Sequence, residues 1–94
     1  MFGKSKLYSI QFLESVLEDD VPDLPTSVQT MIAKAIEERL MIDPLGFGKP
    51  LRYSYKGHRR LRVSDYRIVY RIIIETRTVL IVAIKHRKDS YIDS

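Results

Sequence analysis

Arg59-Arg60-Leu61-Arg62-Val63-Ser64-Asp65-Tyr66-Arg67-Ile68-Val69-Tyr70-Arg71-Ile72 alternates in polarity along both of its arms. Successive side chains of a strand leave opposite faces, so Leu61 and Val63 point one way and Arg60 and Arg62 the other. Ser64-Asp65 supplies residue types that suit a tight turn. In the second arm Tyr66, Ile68, Tyr70 and Ile72 share a face opposite Arg67, Val69 and Arg71. Two such runs joined by two turn residues read as antiparallel strands with one face to bury and one face carrying arginines.

Working outward, Glu75-Thr76-Arg77-Thr78 makes the next turn, and Val79 to Ile84 is apolar on both faces, as expected of a strand with neighbours on each side. Upstream, Leu45-Gly46-Phe47-Gly48-Lys49-Pro50 reads as a loop punctuated by Gly and Pro. Before it, Val28, Met31, Ile32, Ala35, Ile36 and Leu40 recur at three- and four-residue steps, the apolar stripe of a helix that starts near Leu24-Pro25 and stops at Asp43-Pro44. Leu13, Val16 and Leu17 predict a shorter helix ending near Val21-Pro22, since the residue before proline avoids the α region. Lys6 to Phe12 alternates again and predicts a first strand. The expected fold is α+β, in the order β-α-α-β-β-β: two helices packed on a small, mainly antiparallel four-stranded sheet. Residues 1–94 are expected to form one domain, because so short a chain has no room for a second core.

Charge is unevenly placed. Of the 16 Lys and Arg residues, twelve fall between Lys49 and Lys88, where only Asp65 and Glu75 are acidic, a local formal charge of +10. Residues 1–48 carry four basic and eight acidic side chains, so the chain's net +4 conceals a polarised molecule. A cationic sheet predicts a polyanionic partner, nucleic acid above all. The chain has no cysteine, which excludes disulfides and thiolate metal sites and suits a reducing compartment. No segment approaches the roughly 20 apolar residues of a membrane span. A cytoplasmic protein with no membrane partner is expected.

Clustered arginines repel one another, and a polyanion relieves that cost by neutralisation and counterion release. Arginine's planar fork also bonds two phosphate oxygens at once. Arg60, Arg62, Arg67 and Arg71 are expected on the face away from the helices, with Tyr53, Tyr55, Tyr66, Tyr70 and Tyr91 interleaved along the sequence. The last strand then runs into Lys85-His86-Arg87-Lys88-Asp89-Ser90-Tyr91. Cleavage of a phosphodiester by its own 2′-hydroxyl needs removal of that proton, neutralisation of charge on phosphorus and protonation of the departing 5′-oxygen. Arginines serve the second need but not the first. Proton transfer falls to His86, His58, Tyr91 or the lysines, and a tyrosine acts as base only where cations stabilise its phenolate. His58 and His86 form no metal motif, the Gly46–Pro50 stretch lacks the spacing of a phosphate loop, and no nucleophile elbow is present. Asp19-Asp20 and Glu37-Glu38 read as ordinary helix-surface and helix-end charges. No metal and no cofactor is expected.

Three blocks together resemble the RelE/ParE superfamily of bacterial toxin–antitoxin toxins: Gly48-Lys49-Pro50-Leu51, then Lys56 to Tyr70, then Ala83 to Tyr91 with its His-Arg-x-Asp-x-Tyr ending. The resemblance implies a RelE-like fold and, for the RelE branch, a metal-independent endoribonuclease (an mRNA interferase) that cuts mRNA in the ribosomal A site. It also implies a cognate antitoxin protein as partner. The family's active centre maps onto Arg60, Arg62, Arg67, Arg87 and Tyr91. Lys56, Arg59, Arg71, Lys85, His86 and Lys88 are the accompanying candidates for RNA contact. Arg60 and Arg62 stand where some family members carry lysine, which shifts proton removal toward Tyr91, Lys56, Lys85 or His86. The ParE branch implies a DNA gyrase inhibitor without nuclease activity, and a non-catalytic RNA- or ribosome-binding module is the third reading.

Overall fold

The computed structural model describes residues 7–89. Its five strands are β1 (Ser9–Phe12), β2 (Lys49–Pro50), β3 (Arg59–Val63), β4 (Tyr66–Ile73) and β5 (Thr78–His86), in the sheet order β1-β5-β4-β3-β2. β1 runs parallel to β5 and the other pairs are antiparallel. The β3–β4 hairpin has the register its alternation predicts, with Arg62 opposite Arg67 and Val63 opposite Tyr66. Ser64 takes a left-handed conformation in its turn (φ 55°). Leu61, Val63, Ile68, Tyr70, Val79, Ile81 and Ile84 form one buried face. Over it lie Ile32 and Ala35 of helix α1 (Thr26–Ala35), with Ile36 and Leu40 from the π-helical turn Ile36–Leu40 that continues it. That turn closes with Met41 N–H donating to Ile36 O at 2.9 Å. The shorter N-terminal helix is a π-helical turn, Val16–Asp20, that buries Val16. No described helix is long and apolar enough to cross a membrane.

The sheet has five strands and is mixed, which corrects the four-stranded expectation. The stretch read as a loop folds instead into a one-turn helix, α2 (Pro44–Phe47), followed by β2. Asp43 caps α2, its side chain accepting from Gly46 N–H at 3.0 Å, and Pro44 starts it where a missing N–H is harmless. Pro50 then sits on a sheet edge, the position in a sheet that tolerates proline. Pro44, read as the stop of the preceding helix, thus starts a helical turn, and Pro50, read as loop punctuation, blunts an edge.

The arginine face is less open than alternation alone implies. Residues 51–58 fold back over it, and Leu51 and Val69 are buried there against Tyr55, Val82 and Ala83. Tyr53 (φ 58°) and Gly57 (φ 91°) supply the backbone reversals of this flap. Beneath it the β4–β5 register shifts between Val69, paired with Ala83, and Tyr70, paired with Ile81. The extra residue, Val82, makes a bulge that sharpens the local twist.

Asp20 is more than a surface charge. Beyond its pairing with β1, that edge of β5 has no strand partner among the described residues, and there Asp20 accepts from Ile84 N–H at 2.9 Å and from Lys85 Nζ at 3.2 Å. Asp20→Ala is expected to cost about 1–2 kcal/mol, because a protected backbone donor loses a charged acceptor. Urea unfolding would show this as a lower midpoint with unchanged slope; an unchanged midpoint would make the clamp dispensable.

Candidate active site on the arginine face

Register places Arg62, Arg67 and Lys85 in one row across β3, β4 and β5, pointing away from the core. Arg60 stands two residues along β3, opposite Val69 on one side and Lys49 on the other. Arg87 follows β5; its N–H donates to Asp65 O at 2.7 Å and its Nε lies 3.6 Å from Asp65 Oδ1. Asp65 belongs to the hairpin turn, so the turn holds the end of β5 against β3 and β4.

Arg67 is at the centre. It is 8% exposed, whereas Arg62 and Arg87 are exposed. Its guanidinium is held below the ordinary arginine pKa, first by desolvation and then by the fields of Arg62, Arg60 and Arg87. Three cations from two other chain segments therefore act on a fourth. Like charges opposite one another on a sheet destabilise it, and an anion seated among them removes that repulsion. A phosphodiester fits the charge and fork geometry of such a cluster.

Other sequence candidates lie elsewhere. Arg59 points to the core side, donating to Leu45 O and Gly48 O at 2.8 Å each. Beside it the Tyr70 hydroxyl donates to Pro44 O at 2.6 Å. Burial raises the Tyr70 pKa, with Arg59 opposing and Asp43 adding to the rise. Arg59 is thus a strut between β3 and α2. Lys85 Nζ is already engaged by Asp20. His86 lies across from Tyr66 on the core-side face, ring edge to ring face at 5.0 Å. Its Nδ1 accepts from Lys88 N–H at 3.0 Å, which leaves the proton of a neutral ring on Nε2 and no free lone pair for base chemistry. Arg71 is four residues along β4 from Arg67, roughly 13 Å away. Lys56 and Lys88 are exposed, Lys56 in the flap and Lys88 after β5. Tyr91 lies outside the described residues.

Two residues escaped the sequence reading. Arg39 and Lys49 join Phe47, Arg60, Leu61 and Arg62 around a cleft of about 320 Å³ at the outer edge of β3. Arg39 lies within the stretch read as helix and was given no role, and Lys49 was read as part of a loop. The signal that would have found Lys49 is its pairing with Arg60, visible once residues 49–50 are read as an edge strand.

The chain is thus a small mixed sheet that gathers guanidinium groups on the face away from its helices. Residues 17–91 match the family of ParE toxins of type II toxin–antitoxin systems. The chain is 33% identical over 84 residues to toxin RelG of Mycobacterium tuberculosis, covering 89% of this chain and 95% of that one. It is also 33% identical over 72 residues to toxin RelE of the same organism, covering 77% and 74%. Its fold matches the RelBE2 toxin–antitoxin complex of M. tuberculosis with a TM-score of 0.81 and 32% identity, over 89% of this chain and 95% of that one. The isolated RelE toxin of Escherichia coli shares the fold at a TM-score of 0.69 and 22% identity, over 84% and 83%. The chain belongs to the RelE/ParE superfamily of toxin–antitoxin toxins.

Proposed function

We propose that this toxin is a metal-independent endoribonuclease that cleaves mRNA in the ribosomal A site and so arrests translation in the cytoplasm. The observation that carries the reading is Arg67, nearly buried and pressed by Arg60, Arg62 and Arg87. Such a cluster presents a concentrated positive field to a strongly anionic ligand.

In the proposed reaction the 2′-oxygen bonds to phosphorus, the bond from phosphorus to the 5′-oxygen breaks, and the products are a 2′,3′-cyclic phosphate and a 5′-hydroxyl. Arg67 and Arg87 bind the non-bridging oxygens and offset charge as the pentacoordinate phosphorus forms, with Arg60 and Arg62 steering the strand. The 2′-hydroxyl proton goes to a base and the 5′-oxygen receives one. Tyr91 and Lys56 are the candidates left for this proton transfer, because His86 Nδ1 and Lys85 Nζ have partners already. A cognate antitoxin would silence the toxin; the solved relatives include RelBE toxin–antitoxin complexes.

Primer extension on ribosomes programmed with a defined message is expected to show cuts in the A-site codon, with cyclic-phosphate or 3′-phosphate ends. Recovery of 3′-hydroxyl ends would contradict the chemistry. The family match to ParE toxins supports a second reading, inhibition of DNA gyrase. Loss of supercoiling with intact message would select it. Salt-sensitive ribosome binding without any cut would leave a non-catalytic module.

A further inference from the structure

The cleft at the outer edge of β3 is a cavity whose polar lining is entirely cationic. Arg39 reaches it from the π-helical turn after α1, Lys49 from β2, and Arg60 and Arg62 from β3. No carboxylate lines it among the described residues. β2 pairs only with Arg59 and Arg60, so the β3 edge beyond them has no strand partner among the described residues and the cleft opens there. Phe47, 49% exposed, contributes an aromatic surface beside the charges.

We infer that this cleft is a second phosphate subsite, in which Arg39 and Lys49 hold the RNA phosphate next to the scissile one while Phe47 packs against that nucleotide's base or ribose. The inference rests on the ribonuclease reading. Arg60 and Arg62 line this cleft and also act on Arg67, so the two anion sites are contiguous. Same-face residues two apart on a strand are about 7 Å apart. A chain that carries a phosphate on every nucleotide can fill both sites at once. Cations with a neighbouring aromatic ring match a nucleotide, in which a charged group and a flat base are linked. An acidic peptide would satisfy the charges but has less use for the ring.

The test uses the full chain, isotopically labelled, titrated with 2′-O-methyl oligonucleotides that cannot be cleaved. A dinucleoside monophosphate offers one phosphate and a trinucleoside diphosphate offers two. The shorter probe is expected to move the Arg62 and Arg67 side-chain resonances, and the longer one to move Arg39 and Lys49 as well. The longer probe should bind at least about tenfold more tightly, the gain expected of one charge-assisted phosphate contact. The Arg39→Gln/Lys49→Gln variant should lose that gain and keep the wild-type affinity for the shorter probe. The subsite is overturned if the gain survives in the variant, or if Arg39 and Lys49 stay still while Arg67 responds. Should neither probe move Arg67, the subsite is overturned, while the ribonuclease reading stands or falls separately with primer extension on programmed ribosomes. Weakened antitoxin capture with unchanged RNA affinity would assign the cleft to protein recognition instead and overturn the proposal.

Discussion

Arg67→Met is expected to lower ribosome-dependent cleavage by about 10²–10³-fold, the loss typical when one preorganised group aimed at developing charge is removed. The same substitution is expected to leave thermal stability close to wild type. Methionine keeps most of the aliphatic volume that β4 buries at this position, and it removes the cation that Arg62, Arg60 and Arg87 repel. Activity lost with stability kept marks a residue that serves the site rather than the fold. Lys34→Met, on the exposed side of α1, is the charge-matched control and should change neither quantity. A melting temperature well below wild type would mean that Arg67 acts chiefly as a structural residue, and wild-type cleavage would remove it from the site.

Gly48→Ala should have the largest effect on stability. Gly48 is buried, and a Cβ there would overlap the Tyr70 hydroxyl and lie 2.9 Å from the Arg60 carbonyl oxygen. Tyr70 cannot move aside cheaply, since it is fully buried and its hydroxyl is bonded to Pro44 O. Overpacking at a site this rigid costs about 3 kcal/mol, which in a domain of this size lowers the melting temperature by roughly 12–24 °C. Gly48→Ala/Tyr70→Phe should recover part of the loss, because the second change removes the atom in the way. A double variant no more stable than Gly48→Ala alone would place the clash on the backbone instead.

The hairpin at residues 59–72 was fully legible. Its period of two decides which side of the sheet is buried, and the buried set Leu61, Val63, Ile68 and Tyr70 follows from it. The gathering of Arg60, Arg62 and Arg67 was legible for the same reason, since a two-residue turn fixes which residues face one another. Arg87 joins them through Asp65, a contact between segments that no local pattern encodes. What alternation could not convey was the use of each cation. Arg59 belongs to the same basic run, yet its strand phase turns it inward onto α2. Lys85 faces the cluster by register, but Asp20, distant in sequence, engages its ammonium. β2 was missed because two residues are too few to show a period, and Pro50 argued against a strand everywhere except at an edge.

The strand order carries a further consequence for how the toxin comes into being. β5, the last of the described strands, lies between β1 and β4. Until the ribosome has made it, β1 has no strand partner among the described residues, and the hairpin bearing Arg60, Arg62 and Arg67 lacks the neighbour that brings in Arg87. Pairing the earliest strand with the latest is a long-range closure of the kind that slows folding. The cationic face is therefore complete only after that closure, when Arg87 joins Arg60, Arg62 and Arg67.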